Sequence, residues 1–376
     1  MPATREPAPP PSPMTGDVPK WPLAAAAGLV TLGVLVVPLI CAPELMDRFR
    51  TIKESAARAE AILGLFLVVT AVVLGGTGRL RAMLRERAVV SIAVAGAAWG
   101  AITTVASTHR ALSIESLVTI LTSVALFFVV WYAAPRTGFV VVDLLVPGAI
   151  VNSVLSALQR AEIYNPFQVA THVSPHLAAT ALLGNPNIVG SYLALVAVIL
   201  AAAAVCTRGW RRLWYVIGAL FGIGGVFVSD TETALVTLLA GLGALAVGRS
   251  MRRAVAILAG MAILVAAAAA LRVPVVTEFL ALPQRIRTEG LEVALSGRVA
   301  PALVALEMTR ERPLLGFGPG TYGAEFMPRR IRLAEESEGR IARGLATNFA
   351  EVHNDHLQLL AEGGVPAWLL FLAFVG

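Results

Sequence analysis

Three groups of residues in this sequence have side chains whose types and spacing suit binding or catalysis. Residues 184–187 read Gly-Asn-Pro-Asn. Residues 296–298 read Ser-Gly-Arg, and residues 315–322, a short way downstream, read Leu-Gly-Phe-Gly-Pro-Gly-Thr-Tyr. Residues 353–356 read His-Asn-Asp-His and are followed by an apolar run. These side chains suit hydrogen bonding to an anion or a sugar, and proton transfer.

Arg298 is the most specific of these residues, because a guanidinium forms bidentate hydrogen bonds with phosphate and stays charged at any relevant pH. Gly316, Gly318 and Gly320 allow the backbone to bend sharply and to approach a ligand. The glycine pattern is neither a dinucleotide fingerprint nor a P-loop, since no βαβ unit surrounds it and no Gly-Lys-Ser/Thr follows. The alternative is an ordinary loop at the membrane surface, with Arg298 in an ion pair, for example with Glu292.

His353 lies just before an apolar run that starts near Leu357. We expect Asn354 or Asp355 to cap a helix there, so that His353 lies beside the positive end of that helix. A neutral imidazole in this place can accept a proton from a hydroxyl group. The alternative is a metal site, although Pro175 argues against a helix that presents the two upstream histidines on one face. The candidate ligands for that site are His353, Asp355, His356, His172 and His176.

The amides of Asn185 and Asn187 are expected at the start of a membrane helix. There they can hydrogen-bond sugar hydroxyls or phosphate, because the positive end of a helix favours anions. The alternative is a turn and helix cap without a ligand, which Gly, Asn and Pro also favour.

The composition predicts that lipid surrounds most of this chain. Of its 376 residues 57% are hydrophobic and 14% are charged, whereas soluble domains carry about 25% charged residues. The net charge of +6 does not indicate nucleic acid, because most basic residues lie in short loops between apolar runs. We therefore predict an all-α, polytopic transmembrane helix bundle.

The predicted organisation follows from about ten apolar runs of membrane-spanning length. Residues 1–20 are Pro-rich and expected to be a disordered cytoplasmic tail; a cleaved signal peptide is less consistent with the long apolar run that follows. Residues 21–272 form a bundle of about nine helices, residues 273–356 a helical extracytoplasmic loop, and residues 357–376 the start of a further span in a truncated chain. The runs lie near residues 22–42, 60–77, 88–106, 116–134, 139–158, 186–206, 212–229, 231–247, 254–272 and from 357 onward.

Orientation is predicted from the arginines in short loops, which accumulate on the cytoplasmic side of a membrane. Alternate loops are strongly basic, so the N-terminus and these loops are placed in the cytoplasm and residues 273–356 outside. Within the outer loop, residues 301–312 and 329–343 are expected to form amphipathic helices. The cytoplasmic arginines are Arg79, Arg81, Arg85, Arg87, Arg136, Arg208, Arg211, Arg212, Arg249, Arg252 and Arg253.

Residues 184–187, 298–321 and 353–364 resemble the signatures of the O-antigen ligase and polymerase superfamily, and the likeness covers about residues 180–376. It implies an inverting, metal-independent glycosyltransferase of the bacterial inner membrane. The implied reaction takes a glycan from undecaprenyl diphosphate and joins it to a sugar hydroxyl on lipid A core or on another glycan. Arg298 would hold the diphosphate and His353 would activate the hydroxyl. Further donor or acceptor contacts are expected from Asn185, Asn187, Gly318, Gly320 and Asn354.

One departure from the family pattern concerns a second arginine. The family often has Ser-Arg where residues 228–234 here read Val-Ser-Asp-Thr-Glu-Thr-Ala. The resemblance therefore implies that another cation holds the donor, and Arg272 or Arg285 are the candidates.

Three other functions remain open from the sequence. A polysaccharide polymerase of the same superfamily differs only in its acceptor. A glycolipid or solute transporter would need polar groups at mid-membrane depth, but the apolar runs contain almost no ionisable residue there, which favours the enzyme. A protein whose loop only binds partners would need neither Arg298 nor His353.

Overall fold

The protein is all-α in a computed structural model, and the predicted fold class is confirmed. The structure describes residues 20–42, 47–74, 77–167, 179–247, 251–295, 297–336 and 349–375. Within these ranges the helices are α1 (Trp21–Val36), α2 (Arg50–Val73), α3 (Thr77–Arg85), α4 (Arg87–Val105), α5 (Arg110–Thr137), α6 (Val140–Arg160), α7 (Pro186–Cys206), α8 (Gly209–Ser229), α9 (Glu232–Ala246), α10 (Met251–Ala270), α11 (Pro274–Glu289), α12 (Leu291–Ala294), α13 (Val299–Glu311), α14 (Tyr322–Glu336) and α15 (Asp355–Val375).

Every apolar run of the sequence coincides with a helix, but fewer of the helices are long enough to span a bilayer than the ten expected. In the described ranges seven helices are long and apolar enough, namely α2, α4, α5, α6, α7, α8 and α15. The bent pair α10 and α11 would make an eighth. The helices α1 and α9 have 16 and 15 residues, which at 1.5 Å per residue fall short of a hydrocarbon core about 30 Å thick.

The centre of the bundle is formed by α6, α7 and α8, which approach each other closely through small residues. A Cβ atom added to Gly222 of α8 would lie 3.1 Å from the carbonyl oxygen of Leu193 in α7. Gly218 in the same helix faces Leu200 of α7 and Val146 of α6, and all three partners are fully buried. Small residues at such contacts let helices pack in lipid, where the hydrophobic effect between helices is weak.

The chain bends by 90° between α10 and α11. Arg272 lies in this bend with a φ of +54°, and Pro274 starts α11, where its missing N–H costs no hydrogen bond. The segment that follows has a small core of its own, built from α13, α14 and the start of α15. Its fully buried members include Val304, Met308 and Phe326. The sequence predicted helices at residues 301–312 and 329–343. The first matches α13, the second overlaps α14, and its end lies outside the described residues.

One end of the bundle gathers the loops that carry the predicted site, and we call it the site face. Its loops contain residues 107–109, 160–162, 184–187 and 229–231, and contacts join each of them to another of these loops or to the loop at residues 316–322. Arg160 Nη2 lies 2.9 Å from Asp230 Oδ2, and Thr108 N donates to the carbonyl oxygen of Phe317 at 3.1 Å. The opposite face contains the Arg211–Asp143 ion pair, at 3.4 Å.

Candidate active site

His353 projects from a tight turn before α15. Its φ of +58° places it in the left-handed region, which asparagine, aspartate and histidine adopt more readily than other side chains. Asn354 caps α15, as predicted, because its Oδ1 accepts a hydrogen bond from Leu357 N at 3.1 Å. The imidazole packs edge-on against Phe349, with 5.6 Å between ring centroids. His353 is therefore fixed by its backbone turn and by one aromatic contact, while its outer edge stays exposed.

Arg298 and His353 come together on the site face, although 54 residues separate them in the sequence. Partial burial lowers the pKa of the His353 imidazole, and the positive charge of Arg298 lowers it further. The carboxylate of Glu351 opposes this effect and raises the pKa of His353. The net result is a pKa below the ordinary value, so the imidazole is neutral and able to accept a proton at neutral pH.

Arg298 also acts on the start of α9. Glu232, the first residue of that helix, interacts electrostatically with Arg298 and Arg285 and with the carboxylates of Glu278 and Asp230. Arg285 lies 3.5 Å from Glu289 in an exposed ion pair. Of the two arginines considered as substitutes for the missing one, Arg285 thus faces this cluster.

Arg272 is exposed in the bend after α10. Its backbone N–H donates to Ala269 O at 3.0 Å, which holds the turn. Arg272 lies at the bend, and its role as a substitute for the missing arginine stays a prediction.

Arg160 is a site residue that sequence reasoning missed. It extends from the end of α6 to Asp230 in the turn between α8 and α9, where the family arginine was expected. Asp230 has a φ of +56°, and this left-handed turn directs its carboxylate toward Arg160. Arg160 Nη1 is buried and has no hydrogen-bond partner in the described part of the chain. The only signal in the sequence was an arginine at the end of one span and an aspartate at the end of another.

The predicted asparagines at residues 184–187 have structural partners. Asn185 caps α7, since its Oδ1 accepts from Asn187 N at 2.8 Å. The Oδ1 of Asn187 accepts a longer hydrogen bond, 3.4 Å, from the hydroxyl of Thr231. The cap that the sequence suggested is confirmed. The second contact joins residues 184–187 to the turn that contains Asp230.

The glycines of the loop at residues 316–322, which we call the glycine loop, pack against other parts of the same chain. All three have positive φ values, of 62° at Gly316, 108° at Gly318 and 73° at Gly320. Gly318 lies against Ser107 of the α4–α5 connection and Ser113 of α5, and Gly320 lies against Ser116 of α5. The close approach predicted for a ligand is thus made by serines of the same chain. The glycines position the loop, and their contact with donor or acceptor stays a prediction.

Among the described residues, no three or more His, Cys, Asp or Glu side chains come together in a group that could hold a metal ion. His356 accepts a hydrogen bond at its Nδ1 from Trp368 Nε1, at 3.1 Å, so His353, Asp355 and His356 do not share one centre. His172 and His176 lie outside the described residues.

Residues 217–372 match the family model described as O-antigen ligase. These residues form an O-antigen ligase domain. The domain supports the resemblance to the O-antigen ligase superfamily of membrane glycosyltransferases that the sequence indicated. It begins within α8, ends within α15, and contains Arg298, the glycine loop and His353. Arg160 and residues 184–187 lie upstream of the O-antigen ligase domain but contact it through Asp230 and Thr231. No curated protein and no solved structure matches the chain.

Proposed function

We propose that this protein is an inverting, metal-independent glycosyltransferase that moves a glycan from undecaprenyl diphosphate to a sugar hydroxyl. The observation that carries the proposal is the convergence of Arg298 and His353 on one face of an O-antigen ligase domain. A cation and a neutral imidazole within electrostatic range of each other suit a reaction in which a diphosphate leaves while a hydroxyl loses its proton.

The donor diphosphate would lie among arginines of the site face. Arg298 supplies a guanidinium beside His353, and Arg285 lies near the same cluster. Arg160, held by Asp230, presents an Nη1 atom without a protein partner in the described part of the chain. Several guanidinium groups around a diphosphate would balance its charge and the further negative charge that develops on departure. Asn187 and Asn354 lie at the edges of this region, where sugar hydroxyls are expected.

The proposed reaction has one covalent step. The hydroxyl oxygen of the acceptor sugar attacks the anomeric carbon of the donor sugar, and a new glycosidic C–O bond forms. The bond from that carbon to the diphosphate oxygen breaks, and its electron pair leaves with undecaprenyl diphosphate. The hydroxyl proton passes to the neutral imidazole of His353. Attack from the side opposite the leaving group inverts the anomeric centre.

The proposed location is a bacterial inner membrane, with the N-terminus in the cytoplasm and the site face outside. The arginine-rich loops support this orientation, because Arg208 and Arg211 lie at the face opposite the site, where the positive-inside rule expects the cytoplasm. The acceptor would be lipid A core or another glycan chain. A polysaccharide polymerase, the alternative within the same superfamily, would share the donor site and differ in the acceptor.

The decisive experiment uses the full chain in detergent or liposomes with a glycan-linked undecaprenyl diphosphate and candidate acceptors, in the presence of a chelator. We expect transfer with inverted stereochemistry and release of undecaprenyl diphosphate. A transporter would move the lipid across the liposome membrane without forming a glycosidic bond. Transfer that stops when the chelator is added would refute metal independence.

Replacing Glu351 by glutamine should move the pH dependence of transfer. The Glu351 carboxylate raises the pKa of His353, so its removal lowers that pKa further, and the imidazole stays neutral to lower pH. The acid limb of kcat/KM, which reports the base in the free enzyme, should therefore shift to lower pH by a small amount, because Glu351 is exposed and screened by salt. A shift to higher pH would contradict the assignment of His353 as the base.

Replacing Arg160 by glutamine should weaken donor binding. Losing one charged hydrogen bond to phosphate is expected to raise the donor KM about tenfold or more. The acceptor KM should not change, since Arg160 lies on the donor side of the proposed site. The matched control is Arg310→Gln, an exposed position at the far end of α13. If the Arg160 variant and wild type have equal donor KM values, the proposal that Arg160 binds the donor is wrong.

A further inference from the structure

Two side chains of α15, Gln358 and Glu362, connect the glycine loop with the turn that carries His353. They are four residues apart and so lie on one side of the helix. The carboxylate of Glu362 accepts hydrogen bonds from two backbone amides of the glycine loop, from Gly320 N at 2.9 Å and from Tyr322 N at 3.1 Å. A carboxylate suits this place, since both of its oxygens accept and neither donates.

Gln358 extends the connection to His353. Its Nε2 donates to Glu362 Oε1 at 3.4 Å, and its Oε1 accepts from Val352 N at 3.3 Å. Val352 is buried and directly precedes His353. Its backbone amide is therefore fixed on one side of the left-handed turn, while Asn354 fixes the other side through the cap of α15.

Backbone hydrogen bonds make the glycine loop and α15 one unit. Phe317 N donates to Ala361 O at 3.1 Å, and Gly318 N donates to Glu362 O at 2.8 Å. The helix is broken at Gly364, whose φ is +70° and ψ −178°, and the indole N–H of Trp99 donates to the freed carbonyl of Gly363 at 2.8 Å. Glu362 thus lies where the glycine loop, α4 and the broken helix meet.

We propose that Glu362 is a positioning residue for the transfer reaction, acting on His353 through Gln358. The inference rests on the proposed function and adds to it a residue that touches neither donor nor acceptor. Glu362 holds the glycine loop with two hydrogen bonds. Through Gln358 it also fixes the position of the turn that carries His353 relative to α15. The loop and the imidazole therefore keep a fixed distance.

Glu362→Gln tests this inference with a side chain of the same size. Glutamine has one acceptor oxygen, and its NH₂ group must face one of the two loop amides, so one hydrogen bond is lost and two donors are placed together. A displacement of the base by about 1 Å can cost about a hundredfold in rate. We expect kcat to fall about tenfold to a hundredfold, with little change in either KM.

The pH at which His353 titrates gives a readout that a purely structural role would not move. Partial burial and the charge of Arg298 lower the pKa of His353, and Glu351 raises it. Loosening of the turn should withdraw the imidazole from its packing against Phe349 and from Arg298, while Glu351 stays near. His353 should therefore titrate at higher pH in the variant. The probe is diethyl pyrocarbonate, which modifies neutral imidazole, with His353 followed by peptide mass spectrometry over a range of pH.

Gln358→Leu is the second variant, because it leaves the Glu362 bonds to the loop but removes the link to Val352. In this variant, too, His353 should titrate at higher pH than in wild type. The double variant should behave like the more severe single variant, since the two residues act in series. Glu336→Gln on α14, exposed in the structure, is the matched control and should keep wild-type kcat and titration.

Three outcomes are decisive. The positioning role is supported if, in both variants, kcat falls and His353 titrates at higher pH than in wild type. Unchanged titration overturns it, whether kcat is unchanged or falls, because Glu362 would then hold only the glycine loop. If wild-type protein transfers no glycan and the variants still shift the titration, the positioning of His353 stands and the proposed function is wrong.

Discussion

Arg298→Ala should reduce glycan transfer about a thousandfold, which is the loss expected when a preorganised donor to the transition-state charge is removed. Arg298 is the cation that acts on His353, and the proposed mechanism assigns it to the leaving diphosphate. The loss should appear mainly in kcat, since the negative charge on the diphosphate grows as the bond to the sugar breaks. Single-turnover assays with saturating donor would separate this effect from weaker binding.

Two control variants define what Arg298 contributes. Arg298→Lys keeps a positive charge but loses the bidentate geometry of guanidinium, so we expect partial activity, between wild type and the alanine variant. Arg310→Ala, on the exposed side of the same helix, should transfer glycan like wild type. If Arg298→Ala inserts normally into membranes and still transfers glycan at the wild-type rate, the assignment of Arg298 to the donor site is wrong.

His353→Asn should reduce transfer about a hundredfold to a thousandfold, the contribution that a general base typically makes. Asparagine is chosen because it also tolerates the left-handed backbone found here, with φ of +58°. The variant should therefore fold and keep the cap of α15 while lacking a group that accepts the hydroxyl proton. The pH dependence of the residual activity should lose its acid limb, because no imidazole titrates beside the acceptor.

His356→Gln is the matched control for this variant. His356 is three residues further along, is also exposed, and accepts a hydrogen bond from Trp368 instead of facing Arg298. It should keep most of the activity and an unchanged acid limb. If His353→Asn retained both the wild-type rate and the acid limb, another group would be the base and the proposed mechanism would be wrong.

The sequence alone determined the class of fold and several local features of the site. Apolar runs give helices in lipid because the backbone must satisfy its own hydrogen bonds there, and each run is helical in the structure. Residues 184–187 were expected to cap a helix as the alternative to binding a ligand, and Asn354 or Asp355 was expected to cap another. In the structure Asn185 and Asn354 are the caps. Capping needs only residues within one turn of each other, so it can be predicted without knowledge of distant parts of the chain.

The number of spans was harder to predict than their existence. Hydropathy detects apolar residues, but the length of a helix depends on where its ends pack. The helices α1 and α9 end after 16 and 15 residues, and the run that ends at Arg272 turns by 90° into α11. Neither event has a strong signal in composition, although Pro274 at the start of α11 marks the bend.

Tertiary structure decided which charges meet and what the glycines do. Arg160 and Asp230 are 70 residues apart, and only the packing of α6 against α8 brings them together at the place where the family arginine was missing. Gly318 and Gly320 were expected to approach a ligand but lie against serines of α5 and of the connection before it. Side-chain partners across helices depend on helix rotation and tilt, which a one-dimensional pattern of apolar residues does not specify. For that reason the sequence could name Arg298 and His353, while only the folded chain shows that they act on each other.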